Sequence, residues 1–374
     1  MKFSVNSAQL AQRLLTLGRV INSKNAMPIL GNFLFKVADN RLTITASDNE
    51  VYLTTSIDVI NSEDSIEFTV NAKTIQDAIK EIPEQPMEFD VDPHTLEMTI
   101  FYQNGQYMLV GESADQYPVC KPLDDDSSIL TIETTLLYSC INRALFATGD
   151  DPLRPQMNGV YFDYQTSNLS IVASDGRKLA CTRLFNIQAE QATSFNLPKK
   201  PANLLKGLLQ KEDGDTVIRF NQRNATLQTE NYLMSCRLIE GKFPNYNSVI
   251  PQNNPNLMTV NRTSMIAALR RILIFSNAGN PLVKLHIEPG RLEVSTKDHD
   301  YRRSGTESLL CEYEGMAMNI GFKGTLLVDL LNNLEDEEVV FRLADPSRAG
   351  IIVPAAQEEN QEIIMLLMPM MLND

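Results

Sequence analysis

One segment recurs three times along this 374-residue chain, and that repetition limits the possible folds more than any other feature. Residues 28–55, PILGNFLFKVADNRLTITASDNEVYLTT, return as PQMNGVYFDYQTSNLSIVASDGRKLACT at 155–182. A weaker copy, NPLVKLHIEPGRLEVSTKDHDYRRSG, covers 280–305. Leu42, Ile44 and Ala46 keep step with Leu169, Ile171 and Ala173, then with Leu292, Val294 and Thr296. Upstream, residues 5–22 match 132–149 and 260–277. Each copy closes on a proline, at Tyr117-Pro118, Phe243-Pro244 and Met368-Pro369, spaced 126 and 125 residues apart. A solenoid unit spans only about 20–50 residues, so the repeating object here is a whole domain.

Each copy reads as two similar halves, a short strand and a helix followed by three strands, which makes the fold class α+β. In the first copy Leu10, Leu14, Leu17 and Ile21 carry a helical period, and alternation marks strands around 31–37, 41–46 and 51–57. The spacing predicts helices over 8–24, 72–82, 134–148, 199–211, 262–275 and 323–334, with roughly eight strands per copy. Asn104-Gly105 reads as a two-residue hairpin turn. Residues 124–128 and 251–256 read as linkers, dividing the chain into domains 1–123, 129–250 and 251–374.

No apolar run approaches the ~18–20 residues that cross a bilayer, and MKFSVNSAQL holds no apolar signal core. A cytoplasmic protein without a membrane partner is expected. Five widely spaced cysteines fit idle thiols in a reducing compartment. The net charge of −14 argues at first against a polyanionic partner, but its distribution reverses that argument. Over the six expected helices there are fourteen Lys and Arg against three acids, leaving +11 on helices and −25 elsewhere. A merely solvated face would use acids equally well. Basic helices backed by acidic sheets suit a phosphate backbone, and no helix carries the Arg/Asn/Gln clustering that reads bases. The basic positions expected to face DNA are Lys24, Lys73, Lys80, Lys199, Lys200, Lys206, Arg270 and Arg271.

Threefold repetition, basic helices, acidic sheets and an apolar tail together resemble the bacterial replicative sliding clamp, the beta subunit of DNA polymerase III. The resemblance covers the whole chain and rests on MKF at the start, MPILGNFLF at 27–35, VASDGRKLA at 172–180, LIEGKFPNY at 238–246 and MPM at 368–370. It implies three clamp domains, each of two helices packed on antiparallel sheets. Two subunits would join head to tail as a homodimeric ring of six domains around duplex DNA. Such a ring slides without sequence specificity and tethers the polymerase III alpha subunit. The clamp loader, other polymerases and repair proteins would use the same pocket through short linear motifs.

Carried onto this sequence, the resemblance places the partner pocket at Met157, Ser174, Gly176, Arg177, Lys178, Leu179, Pro244, Val249, Leu366, Leu367, Met368, Pro369, Met370 and Met371. It places the dimer contact at Tyr107 and Leu109 against Ile274 and Phe275, and adds Arg154 and Gln156 as DNA contacts. Two departures stand out. The loop 150–156, DDPLRPQ, where family members often carry aromatic or Gln side chains, has no aromatic residue and leaves Arg154 and Gln156 as the contacts, and Met371 replaces a basic residue. Four methionines in seven residues at the tail suit a surface that repacks around different apolar peptides.

His94, His286 and His299 are isolated, and the acidic runs 150–151 and 335–338 sit in expected loops. No nucleophile elbow, phosphate loop or Cys/His cluster appears, so neither catalysis nor a cofactor or metal is expected. The competing reading is an acidic repeat scaffold that binds only proteins.

Overall fold

The computed structural model describes residues 1–22, 27–60, 65–120, 122–124 and 126–372. Lys24, Asp125 of the first expected linker, and the terminal Asn373 and Asp374 lie outside the described residues. Among the described residues the helices are α1 (Ser7–Leu17), α2 (Ala72–Lys80), α3 (Thr134–Leu145), α4 (Lys199–Leu209), α5 (Arg262–Leu273) and α6 (Gly324–Asn332). Three of them start the same way: a strand ending in Val-Asn hands over to a helix whose N-cap is that asparagine. The side chains of Asn6, Asn71 and Asn261 accept from the amides of Gln9, Thr74 and Ser264 at 2.9–3.0 Å, satisfying donors that have no partner within the helix.

The helices are shorter than their periodicity predicts. The predicted first helix reaches residue 24, but α1 stops at Leu17, where the bonding tightens to Arg19 N donating to Thr16 O and Val20 N to Leu17 O; Gln76 Nε2 adds a second donor to the Leu14 carbonyl at 2.6 Å. A Cβ on the next residue, Gly18, would run into that same Gln76 side chain. Within the observed bounds the helices hold ten basic residues against two acids, Asp77 and Asp329. The imbalance therefore persists, with two basic residues removed from the exposed face. Arg143 is only 7% exposed. Arg262 donates to the carbonyls of Leu331, Glu335 and Asp336, closing the C-terminal end of α6.

The chain packs as two compact units, residues 1–138 with 203–238, and 139–202 with 239–374. Three repeats give two units because ladders run on past the repeats. In the first unit Tyr232–Arg237, from the second repeat, pairs antiparallel with Val51–Asp58 of the first. In the second unit Lys178–Leu184 pairs with Gln361–Leu367 of the third repeat. Among the described residues, each unit thereby holds one nine-stranded and one four-stranded sheet. Joining covers strand edges that would otherwise expose unpaired amides. Edges remain at Gly105–Val110 in one four-stranded sheet and Arg303–Leu309 in the other.

Two turns refine the repeat. Asn49 (φ 76°) and Gly176 (φ 87°) occupy the same place in copies one and two, both in the left-handed region that Asn and Gly tolerate. The expected Asn104-Gly105 turn is displaced by one residue. Tyr102 pairs with Gly105, so the loop is Gln103-Asn104 and neither residue has positive φ. A two-residue loop with positive φ at both positions occurs instead at Asp39-Asn40, between Ala38 and Arg41.

Candidate partner-binding cleft

The expected pocket residues all belong to the second unit. Strand Leu169–Ser174 turns through Asp175-Gly176-Arg177 into Lys178–Leu184, which pairs with the last strand in the register Leu179↔Leu366 and Lys178↔Leu367. Across this sheet face lies the segment from Phe243 to Ile250. Leu179, Leu366, Phe243, Tyr246 and Ile250 join Ile351 and Val353 in one buried cluster. Tyr161 stacks on Phe243 with ring centroids 4.5 Å apart and planes at 4°. Tyr246 Oη donates to Asp163 Oδ2 at 2.7 Å. Burial, and then the neighbouring Asp163 carboxylate, push that phenol well above its ordinary value.

Above this floor the side chains open outward. Val249 is 54%, Met368 43% and Met371 88% exposed, and Pro244 is also exposed. Met157, Pro369 and Met370 are half-buried, whereas Leu179, Leu366 and Leu367 are buried. The tail past the last strand is pinned twice, by Met368 N donating to Arg177 O at 2.9 Å and Met370 N to Gly321 O at 2.8 Å.

The turn is held from within. Asp175 accepts from the amides of Arg177 and Lys178 and from Lys178 Nζ at 2.7 Å. Burial raises the Asp175 carboxyl, but these donors outweigh it and hold the group below its ordinary value. Lys178 is thus committed to the turn, while Arg177 is exposed. Ser174 Oγ donates to Lys178 O at 2.8 Å and accepts from Gly176 N. Arg154 lies against this turn, since a Cβ on Gly176 would meet its Nη1 at 3.0 Å, and it pairs with Asp151 at 2.9 Å. Gln156 lies similarly beside Gly241, whose φ is 102°.

Exposed apolar side chains on segments that flank a buried apolar cluster, on a tail pinned by backbone bonds, can take up apolar side chains from an extended segment. Models of the DNA polymerase III beta subunit match the chain in order, the N-terminal domain at 1–121, the central domain at 131–245 and the C-terminal domain at 247–371. The chain belongs to the DNA polymerase III beta subunit family. Among curated relatives, the Beta sliding clamp of Escherichia coli (strain K12) is 27% identical over 369 residues, covering 98% of this chain and 99% of that one. That of Pseudomonas aeruginosa is 26% identical over 366 residues, with the same coverage. A sliding clamp from Pseudomonas aeruginosa solved bound to griselimycin superposes with a TM-score of 0.93 at 25% identity, over 100% of both chains. Three clamp domains of mixed helix and antiparallel sheet are thus this family's fold, and the family is a non-catalytic one.

The remaining expected residues fall elsewhere. Lys73, Lys80, Lys200, Arg270 and Arg271 are exposed on their helices, with Lys199 and Lys206 half-buried. Several carry local partners: Lys80 pairs with Asp77 at 2.8 Å, Lys199 with Asp150 at 2.6 Å and Arg271 with Glu307 at 2.5 Å. Tyr107 and Leu109 are half-buried on the edge strand Gly105–Val110. Ile274 and Phe275, just past α5, are 70% and 42% exposed. Sequence reading missed the supports Tyr161, Asp163, Tyr246, Ile351 and Val353. Strand alternation could have flagged only Tyr161 and Asp163; Tyr246 lies in a 3-10 turn and Ile351 and Val353 in a strand buried throughout, and no local pattern says which cluster a residue joins.

Proposed function

We propose that the protein is a DNA polymerase processivity factor. Two subunits close head to tail into a ring that encircles duplex DNA, slides along it without sequence preference, and tethers the replicative polymerase. Carrying this reading is the full-length match, three domains in order, to a family named for the DNA polymerase III beta subunit. The helix charge supports the DNA part, because phosphate attraction is diffuse and sequence-blind. Topological linkage then supplies the residence time that weak contacts lack. The alpha subunit, the clamp loader and other polymerases and repair proteins would dock in turn at the cleft between Val249, Pro244 and Met368. The domains run 1–123, 129–250 and 251–374, and the chromosome it serves places the protein in the cytoplasm.

Topology provides the test. Loaded onto nicked circular DNA, the protein should stay bound through a salt wash and leave once the circle is cut to a linear form. Retention independent of linearisation, or no retention on circles, favours a scaffold that binds only proteins.

A further inference from the structure

The wall of the partner cleft that carries Pro244 and Val249 is not part of a sheet. Residues 243–250 hold only the short 3-10 turn Tyr246–Ser248. Among the described residues the segment's backbone hydrogen bonds, Ser248 N to Asn245 O and Val249 N to Tyr246 O at 3.3 Å, close within itself. Side chains must therefore fix where it stands over the sheet.

Tyr161, Val172, Cys181 and Ile364 are successive cross-strand partners, an apolar row that packs with Phe243 and Tyr246. Two residues along each strand, hence on the same face, a polar row keeps the same register: Asp163, Ser170, Arg183 and Glu362. This row ties the segment down twice. Tyr246 Oη donates to Asp163 Oδ2 at 2.7 Å, and Arg183 Nη2 donates to Asn247 Oδ1 at 2.8 Å. Arg183 is itself fixed by Nη1 donating to Glu362 Oε2 at 2.6 Å, on the strand Gln361–Leu367 that leads into Met368. One guanidinium thus joins the strand after the turn, the 243–250 wall and the tail strand.

The two ties differ in kind. Tyr246 is 7% exposed inside the core cluster, so its bond belongs to folding, whereas Asn247 is exposed and its bond can be lost with the core intact. We infer that Arg183 is a positioning residue for the partner cleft. Through Asn247 it holds Pro244 and Val249 where a peptide's apolar anchors need them, without touching the peptide. A wall fixed beforehand avoids an ordering cost on binding, and a loosened one lowers apparent affinity by the fraction of time it is in place. This role rests on the reading of that cleft as the docking site.

Fluorescence anisotropy with a labelled peptide carrying Gln and Leu/Phe anchors tests it on the full chain. Arg183→Gln and Asn247→Ala should each weaken binding about 5-fold, the scale of one hydrogen bond. The double variant should lose about 5-fold as well, because both changes remove the same bond. Asn247→Asp keeps an acceptor for the guanidinium and should bind within about 2-fold of wild type. Should Arg183→Gln fail to fold, the contrast between Asn247→Ala and Asn247→Asp still decides. The inference is overturned by losses that multiply in the double variant, by Asn247→Asp binding as poorly as Asn247→Ala, or by single variants that bind like wild type. A wild type that fails to bind the peptide would instead overturn the docking reading, and this role with it.

Discussion

The amide of Met368 donates to the carbonyl of Arg177 at 2.9 Å, so the chain's tail and the middle repeat's turn are one structural object. Leu367, the residue before, is 0% exposed and pairs with both Lys178 and Gly350. Truncation after Leu367 therefore leaves every strand of the sheet intact and removes only the tail from Met368 to the C-terminus. We expect a dimer of normal mass that has lost binding of a labelled partner peptide with Gln and Leu/Phe anchors. Each apolar anchor deprived of its wall forfeits up to about 1.5–3 kcal/mol, roughly a 10- to 100-fold loss. Undiminished anisotropy at unchanged dimer mass would place the peptide elsewhere.

The Asp175–Lys178 pair should make the turn sensitive to acid. Because the folded carboxyl titrates below the ordinary value of 3.8, its contribution is present above 3.8 and lost as pH falls through the folded value. Asp175→Asn should destabilise the protein near neutrality, and the gap between wild type and variant should narrow well below pH 3.8. Urea unfolding of both proteins at each end of that range measures it. A gap that is constant with pH would mean the carboxylate's charge is not what secures the turn.

What could be read in the sequence divides along physical lines. Repetition and helix charge are summed over many residues, so the threefold architecture and the basic helices are visible despite every local error. Helix ends are not: at the end of α1 the Leu14 carbonyl takes a second donor from Gln76, 62 positions further along the chain, beside its helical bond from Gly18. The bonding roles of basic residues are equally hidden. Arg262 closes the end of α6 and Arg143 is buried, while periodicity registers both as helical charge. At the cleft, the turn and tail are recognisable by local motif. The stacked Tyr161–Phe243 pair and the Tyr246–Asp163 hydrogen bond depend on contacts between distant segments.

Neighbouring arginines on α5 should contribute unequally to DNA attraction. Arg271 is held by both oxygens of Glu307, at 2.5 and 2.7 Å, whereas among the described residues Arg270 has a 3.4 Å contact with neutral Asn332. Arg270→Gln should flatten the salt dependence of DNA association by up to about 0.9 in log–log slope, the value for one lost phosphate contact. Arg271→Gln should change it less. Equal slopes, or abolition of binding by either change, would contradict attraction spread thinly over many helices.

Two open sheet edges point to the dimer contact. Gly105–Val110 carries Tyr107 and Leu109 half-buried, with Met108 and Val110 67% and 64% exposed. Arg303–Leu309 is flanked by Phe275, whose ring lies 3.1 Å from where a Cβ on Gly305 would sit. A heterologous head-to-tail contact covers two different edges of one chain at once, and it closes when two copies of it form. Ile274 and Phe275, exposed beside the second edge, would then be buried against the partner. Replacing both with alanine should cost about 2–5 kcal/mol per fully buried side chain, incurred at each of the two contacts. Sedimentation should then find monomers at concentrations where the wild type is dimeric. Val110→Glu, on the opposite edge, should do the same by burying an unpaired charge. A dimer that survives both changes would reject this placement.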